Sequence, residues 1–390
     1  MNAPIPIFRP RVADSARARV LATLDSGWLG YGPECRRLEE HFMQLRGGWA
    51  LATSSCTSAL YLAGRLVRKL ASSDAPEVIV PAVTFVSSGV AFAEAGLRPV
   101  IADVHPDSLL LDPASAEKVL TPRTRAIVVV HLYGQRSPDL ARLRTLADKH
   151  GLILIEDCAH RVDLLDGTAP VGDLLCYSFN AIKELPGGEA GLIWGRDVEH
   201  ESWVRSVSNL GLTIDTMQRA STLRHGDYAF ISEPGLKLRS NDVCASLVRG
   251  GIETLAACRE ARREQWQRYE HLLAPLAPAV KPLRRGDDDS FLMYIVKVPA
   301  PIREAVRAGM AAAGVATSVH YPSLARHPLL GNKPGSTGCA GQDECVLTLP
   351  TFLGLSAEDQ SRVADALGAA LEAASGSAAA RRAVGSLSSL

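Results

Sequence analysis

The chain has 390 residues, 47% of them hydrophobic, and its 42 Lys and Arg balance 42 Asp and Glu. That length allows two or more domains with substantial cores, and the neutral balance leaves no overall field to draw nucleic acid or an anionic membrane. No stretch approaches the apolar length of a membrane span, residues 1–10 lack an apolar core behind a basic head, and the eight cysteines form no CxxC pair. The expectation is a cytoplasmic protein with reduced thiols and no metal site.

From Ser15 to Leu24 the apolar residues are spaced helically, and Asp25-Ser26-Gly27-Trp28-Leu29-Gly30-Tyr31-Gly32-Pro33 then breaks the pattern as either a connector or a ligand-facing lip. Helix resumes from Cys35 to Leu45. A regular alternation follows, with strands expected at Trp49 to Thr53, Val78 to Val80, Pro99 to Val104, Ala126 to His131, Leu152 to Glu156, Leu174 to Phe179 and Leu192 to Trp194. Helices at Thr57 to Leu70, Ser87 to Ala95 and Leu140 to His150 lie among the connections. Apolar strands alternating with helices imply an α/β architecture, a largely parallel sheet covered on both faces, with ligands beyond the carboxyl ends of its strands.

The pattern changes after about Gly235. Cys244 to Leu273 reads as one long helix rich in Arg and Glu, with Gly250-Gly251 a place to bend. Strands at Phe291 to Val298 and Val315 to His320, and helices at Ile302 to Ala313 and Ala357 to Ala373, make a smaller α+β unit. The expected division is a large domain with an N-terminal arm over 1–245, a small α+β domain over 246–374, and a disordered tail over 375–390, which is short on large apolar residues.

Four stretches carry side chains suited to chemistry. Tyr177 to Lys183 runs from a buried strand into a glycine-rich segment. An apolar approach can strip hydration from Lys183 and favour the neutral amine that Schiff-base chemistry needs; a plain loop lysine is the other reading. Asp157, at the end of the strand Leu152 to Ile155, needs a cationic partner such as a pyridinium nitrogen, or else caps the next turn. Ser55, Cys56 and Thr57 stand at a helix start, where backbone N–H groups bind a phosphate or a serine simply caps the helix. Phe85 follows another strand, placed to cover a flat ring or to fill core.

Read in order, these stretches resemble the DegT/DnrJ/StrS family of sugar aminotransferases that depend on pyridoxal 5'-phosphate (PLP), of the aspartate-aminotransferase-like fold type I. The resemblance runs from about Phe8 to Leu371 and rests on Asp25-Ser26-Gly27-Trp28-Leu29 with Gly32-Pro33, Ser55-Cys56-Thr57-Ser58-Ala59-Leu60, and Val80-Pro81-Ala82-Val83-Thr84-Phe85. It continues through Val130-His131-Leu132-Tyr133-Gly134, Ile155-Glu156-Asp157-Cys158-Ala159-His160, Ser178-Phe179 with Lys183, and Val319-His320-Tyr321-Pro322. The fold this implies is a large domain with a mostly parallel seven-stranded sheet flanked by helices, plus the smaller C-terminal unit.

The resemblance also implies roles. Lys183 is similar to the lysine that holds PLP as a Schiff base and moves the proton, and Asp157 to the partner of the pyridine nitrogen. Ala159 and Phe85 match the residues on the two ring faces, His160 the residue near the ring hydroxyl, and Ser55, Cys56, Thr57 and Ser178 the phosphate cup. Lys237 matches a position that reaches a neighbouring subunit's phosphate, which implies a homodimer with composite sites. Trp28, Tyr31, His320 and Tyr321 are expected to line the sugar and amino-donor site.

The implied reaction moves an amino group from glutamate or glutamine to a keto-sugar, most simply a nucleotide-linked 3- or 4-keto-6-deoxyhexose, in amino-sugar biosynthesis for a cell-surface glycan or natural product. A keto-inositol (aminocyclitol) acceptor, or a PLP-binding regulatory or elimination relative, would keep the same cofactor set. Lys183 itself argues against the lysine-less sugar dehydratases. Departures from the family's wording include Cys56 for a frequent glycine, Ala190 for another, and Leu210 where histidine is frequent; they bear on the amino acceptor more than on the cofactor.

Overall fold

The computed structural model describes residues 3–162, 164, 169–214, 228–283, 286, 288–331 and 341–376. Two helices precede the first strand. Helix α1 (Asp14–Ser26) stops at Gly27, whose φ of 71° is open to glycine at no steric cost. Helix α2 (Pro33–Arg46) starts with Pro33 in its first turn, where the missing N–H has no role.

The alternation expected from the sequence then builds one sheet. Its strands are β1 (Trp49–Thr53), β2 (Glu77–Pro81), β3 (Arg98–Ala102), β4 (Thr124–Val130), β5 (Ile153–Cys158), β6 (Leu174–Ser178) and β7 (Gly191–Gly195). Between them lie α3 (Cys56–Leu70), α4 (Ser87–Glu94), α5 (Pro113–Lys118) and α6 (Leu140–His150), and α7 (Glu201–Val207) follows. Strand order is β1-β7-β6-β5-β4-β2-β3. Only β7 runs against the rest, pairing antiparallel with both β6 and β1. The expected seven-stranded, mostly parallel sheet of fold type I is therefore the observed one.

Burial on both faces explains the near-continuous apolar strands. Leu51, Val80, Val128, Ile155 and Ile193 pack into one core with α3 and α4, while their neighbours Ala52, Leu175, Tyr177 and Trp194 pack on the other side with Leu38 and Phe42 of α2. Ile79, Ile127, Val129 and Leu154 complete that second face under α6.

A second, smaller sheet has the order β10-β9-β8, from β8 (Lys281–Pro282), β9 (Tyr294–Lys297) and β10 (Val346–Leu349). It shares a core with α9 (Leu255–Leu273), α10 (Arg303–Ala312) and α11 (Ala357–Ser375). Ile5 belongs to this core too, and bridges Val315, so the beginning of the chain packs on the C-terminal unit.

Two expectations need correction. The long helix over Cys244 to Leu273 is two helices, α8 (Asp242–Ile252) and α9, broken at Glu253 and Thr254. The glycine pair serves a contact: a Cβ on Gly250 would lie 2.3 Å from the Ala16 Cα of α1. Val315 to His320 is not a strand; it makes only isolated bridges, Ile5 with Val315 and Ser318 with Thr348, because no ladder partner runs alongside it. The short elements α5, α7, β8 and β10 were not anticipated. Of the expected tail, Ser375 ends α11 and residues 377–390 lie outside the described residues. Among the described residues no helix is long and apolar enough to cross a membrane.

Candidate active site

Strands running the same way bring their carboxyl ends to one cavity of about 410 Å³. Asp157 comes from the end of β5 and Ser178 from the end of β6; Thr84, Phe85 and Ser88 follow β2, and Ser55, Cys56 and Thr57 follow β1. Lys183 enters from the loop after β6, and His320 and Tyr321 close the cavity from the C-terminal unit. This is the position that open α/β sheets give to ligands.

Asp157 is 2% exposed. Its Oδ2 accepts from Ser88 Oγ at 2.7 Å and its Oδ1 from the Ala159 amide at 3.0 Å, with the Cys56 thiol 3.9 Å from Oδ1. These donors are neutral. Burial therefore raises the carboxyl above its ordinary range, opposed by the two hydrogen bonds and the charge of Lys183. Thr84 Oγ1 stands 2.9 Å from Ser88 Oγ, which steadies the serine. Under the same strand end, His131 contacts Glu156 at 2.8 Å through Nε2, while its Nδ1 accepts from the Ser137 amide.

Lys183 is held by a turn in which its amide donates to the Asn180 carbonyl at 2.9 Å. Burial lowers its amine to about 8, against the opposing pull of Cys56 and Asp157. The neutral form, which a nucleophilic or proton-accepting amine requires, is thus far more populated near neutral pH than in an ordinary lysine.

The start of α3 supplies the anion end. The Ser55 side chain caps the helix, accepting from the Ser58 amide at 3.1 Å, and the first-turn N–H groups of such a helix have no intrahelical partner. Gly191 of β7 is what lets this turn sit where it does. A Cβ there would come within 2.4 Å of the Ser55 carbonyl carbon and 2.6 Å of the Cys56 amide nitrogen.

The walls are aromatic. Phe85 and Tyr321 stand with ring centroids 5.5 Å apart, and Tyr321 Oη is 3.2 Å from His160 Nε2. His160 Nδ1 accepts from the Tyr133 amide at 3.0 Å, which assigns the ring proton to Nε2 and makes the imidazole the donor to Tyr321. Burial, with the Lys183 charge behind it, lowers His320 to about 4, so it is neutral at pH 7; its Nδ1 lies 2.8 Å from Thr348 Oγ1.

Of the residues singled out in the sequence, Ser55, Cys56, Thr57, Phe85, Asp157, Ala159, His160, Ser178, Lys183, His320 and Tyr321 line this one cavity. Trp28, Tyr31 and Lys237 do not line it within a single chain. Tyr31 donates to Glu39 Oε1 at 2.7 Å and has the guanidinium groups of Arg36 and Arg239 over its ring, and Trp28 Nε1 donates to the Tyr31 carbonyl. Lys237 is exposed, its backbone bridged to Asn209. Thr84 and Ser88 were overlooked in the sequence; two hydroxyl residues four apart around Phe85 were the available signal.

The donor chemistry fits PLP. A buried carboxylate with only neutral donors suits a protonated ring nitrogen, a helix N-terminus with Thr57 and Ser178 suits a phosphate, and a partly neutral lysine suits an aldehyde.

Known proteins resemble the chain in sequence and in fold. The chain is 29% identical over 381 residues to the spore coat polysaccharide biosynthesis protein SpsC of Bacillus subtilis (strain 168), covering 93% of this chain and 96% of that one. It superposes on the aminotransferase TlmJ from Streptoalloteichus hindustanus with a TM-score of 0.84 at 29% identity, over 95% of this chain and 100% of that one. The sugar aminotransferase CalS13 from Micromonospora echinospora gives a TM-score of 0.79 at 28% identity, over 94% and 99%. Residues 10–368 match the DegT/DnrJ/EryC1/StrS aminotransferase family, and the chain belongs to that family.

Proposed function

We propose that the protein is a PLP-dependent aminotransferase that moves an amino group from glutamate or glutamine to a nucleotide-linked 3- or 4-keto-6-deoxyhexose in amino-sugar biosynthesis. The observation that carries the reading is the convergence of the Lys183 amine, the buried Asp157 carboxylate and the first turn of α3 on one cavity. Relatives named for sugar amination and for polysaccharide synthesis support the sugar class of the acceptor.

When bound, PLP supplies an aldehyde and an electron-withdrawing pyridinium. The chain's residues do the rest. Asp157, fixed by Ser88 and the Ala159 amide, holds the charge of a ring nitrogen. Thr57, Ser178 and the α3 N-terminus hold the phosphate. Phe85 and Ala159 would hold the two ring faces, and His160, its orientation set by Tyr133 and Tyr321, would meet the ring hydroxyl. Lys183 Nζ takes and returns a proton, a task matched to a group that titrates near 8. His320 and Tyr321, at the cavity mouth, contact the sugar.

The working form is a homodimer in this reading. Lys237 lies outside its own chain's cavity and beside the exposed Leu236 and Leu210, an apolar patch that a second copy would cover while Lys237 reaches the other cavity's phosphate.

The test is a screen of nucleotide-linked keto-sugars and keto-inositols with glutamate and glutamine. The expected outcome is equimolar 2-oxo acid and amino-sugar from a deoxyhexose acceptor. Cofactor binding with no 2-oxo acid from any acceptor would contradict amino transfer, and product from a keto-inositol alone would move the assignment to the aminocyclitol class.

A further inference from the structure

The segment Ala181 to Glu184 has a second side. There it meets the N-terminal residues Phe8 to Val12 and helices α8 and α9 around a separate cavity of about 40 Å³. That volume holds a few waters or one small ion and excludes a sugar or a nucleotide. Three arginines are among the residues that line it, Arg9, Arg11 and Arg262.

Arg262 is the unusual member. It is 6% exposed, and its Nη1 is buried without a hydrogen-bond partner among the described residues. A buried guanidinium with no hydrogen-bond partner is costly for a fold to carry. Glu184, the one carboxylate lining this cavity among the described residues, acts on Arg262 by its charge alone, its oxygens being hydrogen-bonded elsewhere: Oε1 accepts from Arg259 Nε at 2.9 Å and Oε2 from the Val162 amide at 2.6 Å. Arg9 is positioned at the exposed rim by the Phe352 ring, 5.2 Å from its guanidinium carbon. The residues lining the cavity therefore carry more positive than negative charge.

We propose that this cavity binds one small monovalent anion, chloride or the carboxylate of a short acid, with Arg262 as the buried ligand and Arg9 and Arg11 as the outer charges. Ile182 and Lys183 line both cavities, so the anion braces the outer side of the loop that carries the lysine amine. The site is independent of the acceptor and of the reaction assigned above.

The experiment uses the full chain, cofactor-free, at constant ionic strength in sodium gluconate, whose anion is too large for the cavity, with chloride or acetate substituted stepwise. Calorimetry is expected to show a saturable rise in Tm on the order of two degrees. Chloride alone raising Tm identifies the halide, and acetate raising it identifies the carboxylate. Arg262→Met should abolish the response, and in gluconate it should melt no lower than the wild type, because it removes a buried charge that has no hydrogen-bond partner. An equal Tm in all three salts, or an unchanged response in Arg262→Met, would overturn the proposal. Should that variant fail to fold, wild-type crystals soaked in bromide decide: an anomalous peak against Arg262 supports the site and a featureless cavity overturns it.

Discussion

At the scale of the residue, the site depends on moving one proton equilibrium. Burial brings Lys183 from 10.5 to about 8. In the cofactor-free protein, the rate at which an acylating reagent labels Lys183, followed by peptide mass mapping, should rise through a midpoint near 8. A midpoint near 10.5 would mean that the amine is hydrated and the pocket does not prepare it. The same shift has a stability consequence. Between about 8 and 10.5 the unfolded chain binds a proton at this lysine that the folded chain does not, so its contribution to stability rises with pH across that window. Lys183 and Asp157 stood out in the sequence because Asp157 closes an apolar strand and Lys183 sits in the glycine-rich segment that follows another, places where a charge has no ordinary reason to be. Tyr31 was not legible in the same way. Its partners Glu39 and Arg205 are far apart in the chain, and only the fold shows that they hold its hydroxyl.

At the scale of the element, period and punctuation located the strands of the large sheet, and Trp49–Thr53 and Leu140–His150 have the expected ends. What failed was anything decided by a distant partner. Val315 to His320 has strand-like residues but no neighbouring ladder, while the four residues of β10 became a strand because β9 lies beside them. The glycines follow the same logic, and two substitutions separate their roles. Gly250→Ala places a methyl 2.3 Å from the backbone of α1 and should cost about 1–3 kcal/mol in denaturant unfolding, with cofactor affinity unchanged once folded. Gly191→Ala presses on the Ser55-Cys56 turn and should weaken PLP binding about tenfold or more, read by fluorescence titration, with a smaller loss of stability. Equal effects of both on affinity would deny the turn its part in holding the phosphate.

At the scale of the whole molecule, the N-terminal segment joins the C-terminal core, and two units that sequence composition separates meet at one cavity through His320 and Tyr321. Composition alone could not show that convergence. The composite site proposed above draws on Lys237 and the exposed Leu210 and Leu236. Sedimentation should find a dimer, and Lys237→Ala should weaken PLP binding while leaving that dimer intact. A fully active monomer would remove the composite site.

The measurement that bears most directly on the central claim is covalent trapping. PLP-loaded protein is reduced with borohydride and its peptides mapped by mass spectrometry, alongside amino-transfer assays of the wild type and Lys183→Ala. The account predicts a pyridoxyl mass on Lys183 and a loss of amino transfer of about 10³-fold or more in the variant. The label on another lysine, or a Lys183→Ala protein that still transfers the amino group at the wild-type rate, would contradict it.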